Sequence, residues 1–259
     1  MYNKCNYVEK RMDKMQRTNI RDVHFCNVTL DQTINIVVSF LRGDKNHTVV
    51  TPNSEIVQMC IEDDGLRRII NAADLVIPDG IGVIYAARIL KRPLSQKVAG
   101  IDLAMRLLPK LHKGGYRLFL LGGQPGVAEA AKGKIEKSYP GTVCGVHDGY
   151  FTNNTLVIDE INKSGADLVF VCLGAPKQEM WMAEHKDRLS VKAMIGLGGT
   201  LDVFAGRAKR APDIFIKLGL EWFYRLLKEP RRIGRMMRLP RFLLGTIGYS
   251  FTRAHRKER

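Results

Sequence analysis

Between His47 and Leu197, short apolar runs rich in β-branched residues alternate with longer stretches whose apolar positions recur every three or four residues. The short runs predict strands at Thr48–Thr51, Leu75–Pro78, Tyr116–Leu121, Thr142–Val146, Asp167–Leu173 and Lys192–Leu197. The longer ones predict helices over Ser54–Asn71, Gly80–Leu90, Ile101–Leu111, Gly126–Ser138, Thr155–Ser164 and Lys177–Leu189. Strict alternation of strand and helix means parallel strands joined by crossovers, hence an α/β fold with a doubly wound, mainly parallel, Rossmann-like sheet. The run from Leu168 to Leu173 is apolar without a break, which fits a strand covered on both faces. Upstream, Asp22–Leu41 reads as a small strand and then a helix capped near Thr29 or Asp31.

Near Gly206 the alternation stops. From Ile214 to Lys228, the apolar residues Ile214, Phe215, Leu218, Trp222, Phe223, Leu226 and Leu227 keep helical spacing opposite Lys217, Glu221, Arg225 and Lys228. Arg231, Arg232, Arg235 and Arg238 continue the charged stripe, opposed by Ile233, Met236 and Met237. Residues 207–259 hold 15 Lys/Arg against 4 Asp/Glu, so +11 of the chain's net +15 sits there. A basic amphipathic segment seeks a polyanion, and apolar residues on one face favour an anionic membrane surface over nucleic acid. The expected organisation is an N-terminal arm over 1–20, an α/β domain over 21–206 and a basic helical C-terminal appendage over 207–259. The appendage's apolar face could also be covered in a homo-oligomer.

No apolar run approaches the roughly 18 residues that span a bilayer, and Met1–Arg21 lacks the apolar stretch of a secretory signal. The expectation is a cytoplasmic protein, peripheral on the inner face of the cell membrane. The five cysteines, Cys5, Cys26, Cys60, Cys144 and Cys172, share no C-x-x-C spacing and read as reduced thiols. The histidines are scattered, and no metal-binding motif occurs.

In a sheet of this kind ligands bind beyond the carboxyl ends of the strands, and the turns there are unusual. Thr51-Pro-Asn-Ser-Glu-Ile56 carries small polar groups into a helix, and Pro78-Asp-Gly-Ile-Gly82 sets Asp79 at a strand end beside Gly80. Gly122-Gly-Gln-Pro-Gly126 is a turn whose following helix could hold an anion. Gly174-Ala-Pro-Lys-Gln-Glu179 places Lys177 and Gln178 in a helix's first turn. The segment Gly196–Gly206 includes Gly198 and Asp202 but lacks the third glycine of G-x-G-x-x-G. Each has a bland alternative, since glycines make turns and Asp79, Thr51 and Asn53 could cap local backbone groups. Polar or glycine-rich turns repeated along one rim make a cleft the simpler explanation.

Taken in order, these motifs resemble the WecG/TagA/CpsF glycosyltransferase family over about residues 20–245. The residues concerned are Thr51-x-Asn53-x-Glu55-Ile56, Ala73-Asp74-Leu75-Val76-x-Pro78-Asp79-Gly80-x-Gly82, Leu120-x-Gly122-Gly123, Gly174-x-Pro176-x-Gln178-Glu179, Gly196-x-Gly198-x-x-x-Asp202-x-x-Ala205-Gly206, Arg210-Ala-Pro212 and Gly219-Leu-Glu-Trp222. The resemblance implies transfer of N-acetylmannosamine from UDP-N-acetylmannosamine to undecaprenyl-diphosphate-linked N-acetylglucosamine, in making the wall teichoic acid linkage unit. Other members transfer glucose or N-acetylmannosaminuronic acid.

An inverting transfer needs a base for the acceptor hydroxyl, and Asp79 is the candidate. Thr51, Asn53 and Gln178 would orient the sugars, with Gly80, Gly122, Gly123, Gly174, Gly196, Gly198 and Asp202 lining the substrate site. The family pattern brings tail arginines, here Arg225, Arg232 and Arg235, over the cleft to meet the leaving diphosphate. No D-x-D occurs, so the expected transfer uses no cofactor and no metal. A nucleotide-dependent oxidoreductase would need the missing glycine fingerprint, and a nucleic-acid-binding protein a recognisable module that is not present.

Overall fold

The computed structural model describes residues 15–228, 234 and 237–257. An antiparallel pair, β1 (Arg17–Ile20) and β2 (Val23–Cys26), opens the fold and takes residues 17–20 of the expected arm into a hairpin. The helix after it, α1 (Leu30–Phe40), begins at a reciprocal cap. Thr29 Oγ1 accepts from the Gln32 N–H at 3.3 Å while Gln32 Oε1 accepts from the Thr29 N–H at 2.9 Å.

Six strands follow, all parallel: β3 (His47–Val50), β4 (Leu75–Val76), β5 (Leu118–Gly122), β6 (Val143–His147), β7 (Leu168–Cys172) and β8 (Ala193–Gly196). Their order in the sheet is β4-β3-β8-β7-β5-β6. The helices between them are α2 (Ser54–Glu62), α3 (Asp64–Ala72), α4 (Ile81–Ile89), α5 (Gly100–Gly114), α6 (Val127–Ser138), α7 (Asn154–Ser164) and α8 (Lys177–His185). After β8 come α9 (Thr200–Phe204), α10 (Asp213–Lys217), α11 (Glu221–Lys228) and α12 (Arg238–Lys257).

Both faces of the sheet are covered, as the unbroken apolar run of β7 requires; all five of its residues are buried. One face packs on α2, α3, α4, α7 and α8 through residues such as Val57, Ile70, Val83, Ile161 and Met182. The other packs on α1, α5, α6 and α9 through Val37, Leu107, Ala131 and Leu201. Phe242 of α12 is completely buried in the first of these layers, and α12 lies against α2 and α4. Burial pushes the Cys60 and Cys172 thiols up to about 12 and raises Cys26, consistent with unreactive core thiols.

Two helices differ from the sequence expectation. Ser54–Asn71 is not one helix but two, because Asp63 leaves helical geometry (φ −133°, ψ 105°) and its Oδ1 accepts from the Gly65 and Leu66 N–H groups. That side chain restarts the helix, the ordinary work of an N-terminal aspartate. Ile214–Lys228 is likewise interrupted, at Gly219, whose φ of +71° is left-handed. Lengthening that glycine would drive a Cβ to 2.9 Å from Ile81 of α4.

Candidate active site

Five turns meet along the carboxyl edge of the sheet. β3 ends at Thr51, a buried residue whose Oγ1 donates to the Gly196 carbonyl at the end of β8 at 2.8 Å. Two residues on, Asn53 caps α2, its Oδ1 accepting from Glu55 N–H at 2.9 Å and Ile56 N–H at 3.1 Å. The cap occupies the amide oxygen, and Nδ2 remains as the donor Asn53 can offer a ligand.

Beside it, Asp79 follows β4. Its N–H donates to the Pro52 carbonyl at 3.3 Å, which ties the two turns together. Gly80 (φ +83°), which has no side chain to cap with, stands at the N-cap of α4, directly after the half-buried Asp79. A Cβ on Gly80 would come 3.6 Å from the Asn53 Cβ, placing Thr51, Asn53, Asp79 and Gly80 in one corner.

Gly122 and Gly123 answer a packing need at the rim. Gly122 (φ +127°) lies so close to β7 that a Cβ would sit 2.3 Å from the Cys172 carbonyl oxygen, and the Gly123 N–H donates to that oxygen at 3.2 Å. They let β5 and β7 close together at the rim. The Gly123 carbonyl in turn accepts from the Gly149 N–H at 2.8 Å. Over Gly174 and Gly198, by contrast, a Cβ would meet nothing within 4 Å, so both face open space.

Gln178 is 2% exposed and stands behind the rim. Its Oε1 accepts from the Gly198 N–H at 2.9 Å, and its Nε2 donates to Glu179 Oε1 at 2.8 Å. Gly196 is the point of contact, where a Cβ would lie 3.0 Å from Gln178 Nε2. Asp202 lies in the first turn of α9, and its carbonyl accepts from the N–H groups of Arg207 and Ala208, turning the chain toward the tail. Arg225 lies on α11 with its side chain outside those described, and Arg232 and Arg235 lie outside the described residues.

Sequence reasoning placed the helix α5 but not its first turn on the rim. A Cβ on Gly100 would lie 3.2 Å from Leu197 Cδ2 and 3.6 Å from Thr51 Oγ1, so this helix begins on the same rim. Its first turn carries no side-chain cap, and Asp102 pairs with Arg210 of the segment leading to the tail. The absence of a capping residue before Ile101 was the one available signal. The tail also reaches the rim: Leu239 packs where a Gly82 Cβ would be, and Glu221 pairs with Lys97 at 3.7 Å. Among the described residues no three His, Cys, Asp or Glu side chains come together as a metal site, and no helix is long and apolar enough to cross a membrane.

The family model for glycosyl transferases of the WecG/TagA/CpsF family matches residues 18–256, which spans the sheet, the rim and the tail alike. The chain belongs to this family. Among its relatives are N-acetylglucosaminyldiphosphoundecaprenol N-acetyl-beta-D-mannosaminyltransferases of Staphylococcus aureus strains MRSA252, MW2 and NCTC 8325 / PS 47. Each is 36% identical over 253 residues, covering 96% of this chain and 97% of the relative. A WecG/TagA/CpsF glycosyltransferase therefore runs the length of the chain, and the rim described above is where its substrates must be sought.

Proposed function

We propose that this glycosyltransferase moves N-acetylmannosamine from UDP-N-acetylmannosamine to undecaprenyl-diphosphate-linked N-acetylglucosamine, with inversion at the anomeric carbon. The observation that carries the reading is the corner formed by Thr51, Asn53, Asp79 and Gly80 on the open rim of a family member whose relatives bear that activity in their names. The acceptor hydroxyl oxygen attacks the anomeric carbon as the bond to UDP breaks. The hydroxyl proton passes to the Asp79 carboxylate, and the electron pair leaves with the diphosphate. Asn53 Nδ2 and the Thr51 hydroxyl are the neutral groups at hand to orient the sugars, and the open face at Gly196–Gly198 suits the nucleotide.

In this reading the transfer uses no metal. Charge on the departing diphosphate falls to arginines of the tail, with Arg225, Arg232 and Arg235 the candidates. The packing of Leu239 against Gly82 and of Gly219 against Ile81 supports a tail that borders the cleft. The tail also suits the surface of an anionic membrane on its cytoplasmic side, where the lipid acceptor's diphosphate lies. Ile214, Leu218 and Leu227 are 60% or more exposed within a segment of net charge +11.

The test is transfer to a short-chain lipid-diphosphate N-acetylglucosamine with a panel of UDP-sugars, in EDTA, using the full chain. Turnover with UDP-N-acetylmannosamine is expected. Selective use of UDP-glucose or a uronic-acid donor would overturn the donor assignment, and strict dependence on added Mg²⁺ or Mn²⁺ the metal-free mechanism.

A further inference from the structure

Gln178 fixes the turn at the end of β8 from behind, and its grip depends on which way its amide points. Oε1 meets the Gly198 N–H and Nε2 meets Glu179 Oε1. A glutamine amide keeps nearly the same shape when turned by 180°, and the turned form would set the Nε2 hydrogens against the Gly198 N–H, donor against donor. The Gly198 N–H therefore already favours the present orientation, and the neighbour on the other side can reinforce it. Burial raises the Glu179 pKa, but an Oε1 without a proton only accepts, whether the carboxyl is ionised or protonated at Oε2, so it too favours the orientation in which Nε2 faces it.

That neighbour is a costly one to keep. Glu179 is 1% exposed and its Oε2 has no hydrogen-bond partner among the described residues. It borders a cavity of about 330 Å³ whose lining includes Thr48, Val50, Ile69 and Met182 together with the cations Arg68 and Lys186.

We propose that Glu179 is a positioning residue for glycosyl transfer: by accepting from Gln178 Nε2 it anchors the amide from behind, so that Oε1 holds the Gly198 N–H firmly and shapes the Gly196–Gly198 turn. Thr51 holds the same turn at its other end through the Gly196 carbonyl. Glu179 acts only through Gln178 and touches no substrate. The catalytic consequence rests on the reading that this turn receives the nucleotide of the donor.

The experiment uses the full chain with Glu179→Met, which removes the acceptor at similar volume, and Glu179→Gln, which restores one. The side-chain amide signals of the six glutamines are followed in ¹⁵N-labelled protein, with Gln178 assigned from the signal lost in Gln178→Met. In Glu179→Met the Gln178 amide signals move and the Gly198 N–H exchanges faster. The KM for the UDP-sugar rises about tenfold, the effect of one hydrogen bond, while the acceptor KM and Tm hold. Glu179→Gln returns donor KM to within about threefold.

Unmoved Gln178 and Gly198 signals in Glu179→Met would overturn the proposal, as would equal losses in both substrates' KM together with Tm. Moved signals with an unchanged donor KM would retain the Glu179–Gln178–Gly198 linkage and overturn the nucleotide reading of the turn. If Glu179→Met does not fold, Gln178→Met must reproduce the donor-selective KM rise, and its failure to do so overturns the proposal.

Discussion

Thr51 Oγ1 donates to the Gly196 carbonyl at 2.8 Å, across 145 residues of sequence, and so joins the ends of two neighbouring parallel strands at the mouth of the cleft. Removing the hydroxyl leaves a carbonyl at the rim without this donor, at a cost of about 1–3 kcal/mol. Thr51→Val is expected to lower stability by that amount in urea titration and to reduce kcat/KM, whereas Thr51→Ser, which keeps the donor, should recover most of both. Equal behaviour of the two variants would mean that the methyl group, and not the hydroxyl, is what the site uses.

Asp79 is tied at its backbone N–H to the Pro52 carbonyl, and Gly80 rather than Asp79 stands at the N-cap of α4. Asp79→Asn should lower kcat by about 10²–10⁴, the usual worth of a general base, with Tm close to that of the parent. Near-normal turnover by a folded Asp79→Asn would remove the residue from the base role.

The order of strands and helices was legible because each element carries a local signal. The apolar run of β7 and the Thr29/Gln32 cap need no tertiary information, and Asp63-Asp64-Gly65 could have revealed the break between α2 and α3. The site was legible only as residue types on a rim. Gln178 reads in sequence as a group for orienting sugars; its burial against Gly196, where no side chain keeps the amide away, and its bond to the Gly198 N–H have no local signal. Nothing near Gly100 in sequence tells that it meets Thr51, and Arg238 finds Glu55 at 3.0 Å only because α12 folds back across 183 residues. Contacts of this range follow from the packed layers, which no window of sequence contains.

At the opposite edge of the sheet, Asp74 receives the Thr48 N–H at 2.8 Å, Lys186 Nζ at 2.8 Å and His47 Nδ1 at 3.2 Å. Burial alone would push this carboxyl up, but the hydrogen bonds from His47, Lys186 and Thr48 together hold it well below the ordinary carboxylate range. A lowered folded-state pKa adds stability above the unfolded value of about 3.9, lost as pH falls through the folded one. Asp74→Asn should therefore cost about 1–3 kcal/mol at pH 7, and the difference from the parent should shrink as pH is lowered below about 4. Urea titrations across that range check it; a constant difference at every pH would mean the ionised form contributes nothing special.

The tail divides into a part the fold needs and a part it leaves in solvent. Phe242 is completely buried against α2 and α4, and Phe242→Ala should lower stability by about 3–5 kcal/mol. Ile214, Leu218 and Leu227, 64%, 60% and 60% exposed, contribute little packing to the folded chain. Their simultaneous change to Ser should leave Tm within a few degrees. If the membrane reading holds, the same triple change should weaken sedimentation with anionic vesicles at least tenfold, since each side chain removed from the interface forfeits on the order of 1 kcal/mol or more. Binding by the parent should also fall as salt screens its basic residues. Vesicle binding unchanged by the triple substitution but abolished by salt would leave an electrostatic surface with no inserted apolar face. A marked fall in Tm would show instead that these residues pack within the fold.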